Sequence, residues 1–130
     1  MHGADVGVRG TGASKAEAFE RAALAMTAVV ADPSAIEARE TVSVECEAPD
    51  DELLLVEWLN SLIYEMDARK MIFGRFSVQI DGRHLQGKAW GERLDPARHE
   101  PAVEIKGATY TMLRVGQENG LWLAQTVVDV

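Results

Sequence analysis

The sequence is poor in cysteine and has no long apolar segment, and each shortage excludes a class of protein. One of its 130 residues is cysteine, Cys46, which excludes an internal disulfide and any zinc site built from cysteines. No apolar run approaches the roughly 20 residues that span a membrane. No basic segment followed by an apolar one marks a signal peptide. We therefore expect a cytoplasmic protein without a membrane segment.

Basic residues are also in short supply. Lysine and arginine number 13, against 21 aspartates and glutamates, which gives a formal net charge of −8. A charge of this sign repels the phosphates of nucleic acids at long range, so we expect no direct binding of RNA or DNA. Protein partners, cations and nucleotides held through a metal remain compatible with the charge.

Motifs of covalent catalysis are missing as well. The sequence has no Gly-x-Ser-x-Gly, and no histidine is placed by pattern beside a serine or cysteine. The glycines within residues 10–12 lack the spacing of a P-loop or a dinucleotide fingerprint and predict a turn. Cys46 lies on the apolar side of a predicted strand, which favours a buried thiol over a nucleophile. His84 and His99 lack a helical metal spacing, and we expect both at the surface or in turns.

Hydrophobic periodicity predicts the order strand, helix, strand, helix in the first half of the chain. Residues 5–12 and residues 41–47 alternate between apolar and polar, which is typical of strands. A capping box formed by Ser14 and Glu17 predicts the start of the first helix. Acidic residues at 50–52 predict the start of the second, because carboxylates stabilise the positive end of the helix dipole.

Helical periodicity also predicts which side chains face the core. The predicted inward stripe of the first helix is Phe19, Ala23, Met26 and Val30. The predicted inward stripe of the second helix, with Trp58 flanking it, is Val56, Leu59, Ile63 and Met66.

The second half of the chain predicts antiparallel sheet, with about five more strands. Hairpin signals stand at residues 81–82 (DG) and 119–120 (NG). Gly87 and Gly91 interrupt one of the strands and predict a bulge or a close approach of two backbones. We therefore predict one α+β domain, residues 1–130, with a mainly antiparallel sheet and two helices.

The two ends of the chain carry the most chemical information. Each is predicted as a strand with one carboxylate, Asp5 at the front and Asp129 at the back. If these strands lie side by side, the two aspartate side chains come together. If Val130 is the terminal residue, its free carboxylate adds a third oxygen group. A cluster of two or three carboxylates suits Mg²⁺, Mn²⁺ or Ca²⁺. The pattern alone leaves another interpretation open, because aspartates near a chain end are usually solvated.

Several segments, in order along the whole chain, resemble the archease family. Residues 2–8 (HGADVGV) are similar to the family's opening His-Thr-Ala-Asp-Ile/Val-Gly, and residues 14–26 are similar to its first helix. Three further segments resemble its Gly-Glu strand end, its Lys-x-x-Thr-Tyr motif and its closing strand: residues 90–92 (WGE), 104–110 (EIKGATY) and 127–130 (VVDV).

Archeases are small acidic cofactor proteins of the GTP-dependent ligase that joins RNA 3′-phosphate and 5′-hydroxyl ends in tRNA splicing and RNA repair. The resemblance implies a non-catalytic protein whose partner is that ligase and which promotes ligase guanylylation and multiple turnover. It also implies a divalent cation (calcium, magnesium or manganese) held by Asp5 and Asp129, with Val130 at the site. Lys106 would contact a phosphate or a ligase carboxylate; its alternative is a solvated strand lysine.

The chain departs from the family pattern at a few positions. Met1 and Gly3 stand where the family usually has aspartate and threonine, and Thr111 stands where many members have histidine. No role of that histidine is carried over. His2 is a candidate for orienting Asp5 or contacting the metal, with an ordinary structural hydrogen bond as the alternative.

Two functions of other classes are compatible with the same residues. One is metal-dependent nucleotide hydrolysis by the carboxylates of Asp5 and Asp129, without any ligase. The other is a general chaperone or adaptor that acts through an apolar surface. The acidic charge is compatible with both and does not distinguish them.

Overall fold

Two long helices and two antiparallel sheets make up the structure, a computed structural model that describes residues 4–130. Its elements in chain order are β1 (Asp5–Gly12), α1 (Lys15–Val30), a 3-10 helix (Pro33–Ala35), β2 (Glu40–Glu47), α2 (Asp51–Arg69), β3 (Met71–Asp81), β4 (His84–Arg93), α3 (Pro96–His99), β5 (Gly107–Ala108), β6 (Arg114–Glu118) and β7 (Leu121–Asp129). The predicted α+β class is confirmed. The strands divide between two sheets, and the one-turn helix α3 adds to the two predicted helices. Within the described residues, no helix is both long and apolar enough to cross a membrane.

The first and last strands are neighbours in the larger sheet. Its order is β1-β7-β5, and β6 pairs with another part of β7. In the antiparallel register of β1 and β7, Asp5 lies opposite Asp129 and Val8 lies opposite Thr126. The smaller sheet has the order β2-β4-β3. The expectation that the two ends of the chain meet is therefore confirmed.

Helix α1 begins at the predicted capping box. The Ser14 hydroxyl accepts the N–H of Glu17 at 3.1 Å, and the Glu17 carboxylate accepts the N–H of Ala13 at 3.2 Å. The reciprocal bond thus reaches one residue further back than a standard capping box. The helix packs on β1 and β3. It buries the predicted apolar stripe: Phe19, Ala23, Met26 and Val30.

Helix α2 buries only part of the predicted stripe: Val56 and Leu59 are buried, as predicted. Ile63 and Met66 were expected to point inward, yet both stay partly exposed. Trp58, which was expected to flank the stripe, is fully buried, and its Nε1 donates to the Phe19 carbonyl at 3.1 Å. Gly87 of β4 lies against the Trp58 ring, where an added Cβ would overlap it. A tryptophan with its N–H satisfied buries more apolar surface than isoleucine or methionine, so it takes the central position.

The glycine signals correspond to real backbone features. Gly82 has a φ of 60° in the turn between β3 and β4, and Asn119 and Gly120 have φ of 53° and 80° between β6 and β7. Two successive positive φ angles are typical of a type I′ hairpin turn. The register of β3 against β4 shifts between Phe73 and Arg75, beside Gly91. The close backbone approach predicted there is confirmed, because an added Cβ on Gly91 would overlap the backbone of β3.

The single cysteine lies in the core, as predicted. Cys46 is 7% exposed, and its Sγ lies 3.5 Å from the Ser61 hydroxyl. Burial raises the pKa of the Cys46 thiol above its ordinary value. A buried thiol that stays protonated is a poor nucleophile.

Candidate metal centre

The pairing of β1 with β7 places Asp5 and Asp129 directly opposite each other. The Val130 N–H donates to the Ala4 carbonyl at 3.0 Å, so these two residues form a hydrogen-bonded pair of the ladder. The neighbouring pair, Asp5 and Asp129, is therefore a non-hydrogen-bonded pair. In such a pair the Cα atoms approach to about 4.5 Å and the two side chains lie on the same face of the sheet. The register thus brings together two acids from opposite ends of the chain.

Neither carboxylate is neutralised by residues 4–130. Within that range, the side chains of Asp5 and Asp129 take part in no hydrogen bond and no ion pair. Asp5 is exposed and Asp129 is partly exposed. Like charges directly opposite each other on neighbouring strands repel. Two unpaired carboxylates at this spacing offer hard oxygen ligands, so the residues present fit a divalent cation such as Mg²⁺, Mn²⁺ or Ca²⁺.

The other two predicted contributors to the metal site are less defined. Val130 is 8% exposed, and its main-chain N–H bonds to Ala4; a terminal carboxylate of this residue as a ligand stays a prediction. His2 lies outside the described residues, so its expected role beside Asp5 also stays a prediction. Among residues 4–130, no three His, Cys, Asp or Glu side chains are grouped to hold one ion. A cation held by these two aspartates would therefore need water or groups of a partner to complete its coordination.

Lys106 lies next to Asp129, on the side of β7 opposite to β1 and Asp5. Its N–H donates to the Asp129 carbonyl at 2.7 Å, immediately before β5. The Asn60 side chain of α2 accepts a main-chain N–H of β5 at 2.8 Å and so ties this short strand to the helix. The Lys106 side chain is exposed and forms no ion pair with another residue of the described chain. The fold therefore gathers Asp5, Asp129 and Lys106 at one end of the larger sheet.

Sequence reasoning missed a second charged group, centred on Glu92 of β4. The Glu92 side chain is 6% exposed and forms ion pairs with Arg98 and with Arg39. It also accepts the His99 Nε2–H at 3.0 Å and the N–H of Glu37 at 2.8 Å. The hydrogen bond from Arg98, followed by that from Glu37, lowers the pKa of Glu92 to about 2. Since its partners all come from the same chain, this carboxylate is structural.

The expectation for His99 was wrong in one respect. The residue does end the short helix α3, but it is buried, with 6% of its surface exposed. Its Nδ1 accepts the N–H of Asp95 at 2.9 Å, so Nε2 carries the hydrogen that Glu92 accepts. His84 is partly exposed at the start of β4, in agreement with its prediction. The sequence signal for the buried histidine was only an acid seven positions before it, which no periodicity distinguishes from a surface pair.

Comparison with known sequences identifies the family of this small α+β protein with its pair of carboxylates. The model of the archease protein family matches residues 1–130. The chain is 41% identical over 134 residues to the archease of Pyrococcus furiosus, covering 99% of this chain and 94% of that protein. It is 38% identical over 131 residues to the archease of Sulfurisphaera tokodaii, with the same coverage of 99% and 94%. The chain belongs to the archease family.

Solved structures share the fold. The solution structure of protein 1598 of Methanobacterium thermoautotrophicum matches with a TM-score of 0.84 and 34% identity, covering 98% of this chain and 93% of that one. A crystal structure of an archease from Thermotoga maritima, described as a possible chaperone, matches with a TM-score of 0.67 and 19% identity. That match covers 99% of this chain and 93% of the other.

Proposed function

We propose that this protein activates, in the cytoplasm, the GTP-dependent ligase that joins RNA 3′-phosphate and 5′-hydroxyl ends. It acts as a non-catalytic cofactor protein, which promotes guanylylation of the ligase and its multiple turnover in tRNA splicing and RNA repair. Membership of the archease family suggests the partner. The observation that carries the proposal is the cross-strand pairing of Asp5 with Asp129.

The two aspartates would hold a divalent cation at the end of the sheet that meets the ligase. Guanylylation transfers GMP from GTP to a ligase side chain and releases pyrophosphate, so negative charge builds on the phosphate oxygens. A divalent cation bound there would neutralise that negative charge. Asp5 and Asp129 fill only part of a coordination shell, which leaves room for phosphate or ligase oxygens beside them.

Lys106 supplies a positive charge next to the acidic pair. Its ammonium group would contact a phosphate of the ligase-bound nucleotide or a carboxylate of the ligase. The Lys106 N–H donates to the Asp129 carbonyl, so β7 holds both the main chain of Lys106 and the acidic residue Asp129 in place. The three residues would therefore approach the ligase as one unit.

Replacement of Asp5 or Asp129 by alanine tests the proposal. Each variant is expected to lower stimulation of the ligase at least about tenfold, because one of two metal-binding groups is lost. The melting temperature should stay the same or rise slightly, because a repulsion is removed. The measurement is guanylylation and joining by the purified ligase across titrations of Mg²⁺, Mn²⁺ and Ca²⁺. Asp67→Ala, which removes an exposed acid near the end of α2, is the matched control.

Other outcomes would identify other functions. Full stimulation of the ligase by both aspartate variants would show that the two carboxylates are not required. Release of phosphate from GTP by the purified protein alone would instead indicate a metal-dependent hydrolase. Suppression of the aggregation of unrelated proteins, without divalent metal, would indicate a general chaperone. The Thermotoga maritima relative is described as a possible chaperone.

A further inference from the structure

A loop near the acidic pair exposes two large apolar side chains. The loop comprises residues 109–113 and connects β5 to β6. The exposed fractions of Tyr110 and Met112 within it are 69% and 71%. Single exposed apolar residues are common, but a large aromatic and a methionine two positions apart on one loop are typical of a contact surface.

Side chains of β7 hold the main chain of this loop in place. The Thr126 hydroxyl donates to the Thr109 carbonyl at 2.5 Å and lies 3.4 Å from the Thr111 carbonyl. The Gln125 side chain donates to the Met112 carbonyl at 3.1 Å. A loop that is already ordered loses less conformational entropy on binding than a mobile one, so its apolar side chains are effective anchors.

The backbone at Met112 adds a second observation. Its φ is 53°, in the left-handed region that side chains rarely adopt and that glycine adopts without strain. Residues held in that region cluster at binding and functional sites. Within residues 4–130, the other non-glycine residues with a positive φ lie at helix ends or in the β6–β7 hairpin turn (Lys70, Glu100 and Asn119). The strained backbone at Met112 is therefore consistent with a binding role of this loop.

The loop and the acidic pair share a strand. The Thr109 N–H bonds to the Val127 carbonyl at 2.9 Å. Val127 and Asp129 are two residues apart on β7, which corresponds to about 7 Å along a strand. The main chain of Met112 bonds to the side chain of Gln125, four residues from Asp129 or about 13 Å along the strand. A protein surface that covers Asp129 and this length of β7 therefore also covers the loop.

We propose that Tyr110 and Met112 are the anchors by which this protein docks on its protein partner, next to the acidic pair. The matching surface of the partner is an apolar pocket beside a cationic or metal-bearing site, because the loop is apolar and Asp5 and Asp129 are acidic. Since the partner is taken to be the RNA-joining ligase, this docking role rests on the proposed function.

Fluorine NMR can test the contact directly, because the chain has two tyrosines. Tyr64 on α2 is 69% exposed, the same fraction as Tyr110, but it lines a depression between α2 and β2. Fluorotyrosine labelling gives two signals, which Tyr64→Phe and Tyr110→Phe assign. Addition of the purified ligase is expected to shift or broaden the Tyr110 signal and to leave the Tyr64 signal unchanged. An unchanged Tyr110 signal in a complex shown to form by sedimentation would overturn the proposal.

Variants separate docking from activation. The double change Tyr110→Ala, Met112→Ser is expected to raise the Kd for the ligase roughly 30-fold, as for loss of an interface hot spot. The concentration needed for half-maximal stimulation should rise by the same factor, with the plateau retained. Tyr64→Ala should stay within about twofold of wild type, as expected outside a hot spot. Asp5→Ala should mainly lower the plateau of stimulation, with a smaller rise in Kd than the double variant shows.

The outcomes distinguish this docking surface from the function on which it rests. If the wild-type protein stimulates the ligase and the double variant does so with the same Kd and the same half-maximal concentration, the docking role is wrong and the proposed function stands. If the wild-type protein neither binds nor stimulates the ligase, both are overturned.

Discussion

Two sets of carboxylates in this molecule have opposite surroundings. Glu92 is almost completely covered and is bound by two guanidinium groups, a histidine ring and a main-chain N–H. Asp5 and Asp129 face each other at the end of a sheet, and no donor among residues 4–130 contacts either side chain. Glu92 thus has all its partners within the protein, whereas residues 4–130 provide no partner for the two aspartate side chains.

The surroundings also predict opposite responses to mutation. Glu92 connects β4 to α3 and to the segment around residues 37–39. Its loss leaves the buried His99 ring and the part-buried Glu37 N–H without their acceptor, and it removes the charged partner of two more exposed guanidinium groups. Loss of Asp5 or Asp129 leaves no protein donor unpaired. The first change should therefore affect folding, and the second should affect function.

The largest effect on stability is expected from Glu92→Gln. The variant should melt roughly 10 °C or more below wild type, because the Arg98 guanidinium loses its charged acceptor. Circular dichroism melting measures the change. Glu118→Ala, which breaks an exposed ion pair with Arg114, is the control and should change the melting temperature by less than about 4 °C. A decrease in Glu92→Gln no larger than that of the control would mean that the cluster behaves as a surface network.

An acid titration tests the same cluster without removing its packing. The pKa of Glu92 is lowered from 4.5 to about 2 in the folded protein, so the ionised group stabilises the fold above its ordinary pKa and loses this effect as the pH falls through the folded value. The difference in unfolding free energy between wild type and Glu92→Gln should be constant above about pH 5.5 and shrink towards about pH 2. Urea unfolding at several pH values measures this difference. A difference that is unchanged at the acid end would contradict the lowered pKa.

A smaller effect is expected from divalent cations at the acidic pair. Mg²⁺, Mn²⁺ or Ca²⁺ at about ten times its Kd should raise the melting temperature of wild type by about 5 °C, since binding at that concentration stabilises by about 1.4 kcal/mol. Asp129→Asn should abolish the rise, and Glu118→Ala should retain it. Monovalent salt at equal ionic strength controls for screening of the repulsion between the two acids. Equal shifts in wild type and Asp129→Asn would place cation binding elsewhere.

Local signals in the sequence were sufficient for the class of fold and the order of its elements. Strand alternation, the capping box at Ser14 and the hairpin glycines each depend on residues a few positions apart, and each corresponds to a feature of the structure. The pairing of Asp5 with Asp129 was expected from the strand pattern of the two ends and from the family resemblance. Its register, which makes the two residues direct neighbours, required the structure.

What the sequence did not predict depends on contacts between distant elements. Trp58 takes the centre of α2's buried face because Gly87, on another element, leaves room for its ring. His99 is buried because Glu92 of β4 accepts its hydrogen across a turn. The division of the strands into two sheets follows from pairings such as β1 with β7, which no local period encodes.

The strand pair that carries the two aspartates has a consequence for folding kinetics. Arg9 and Gln125, whose side chains bond across it, are 116 residues apart in sequence. Contacts at such separation close a large loop, and they tend to form late because chain entropy is lost before they are made. A partner that needs both carboxylates at once would therefore recognise fully folded copies and pass over incompletely folded ones.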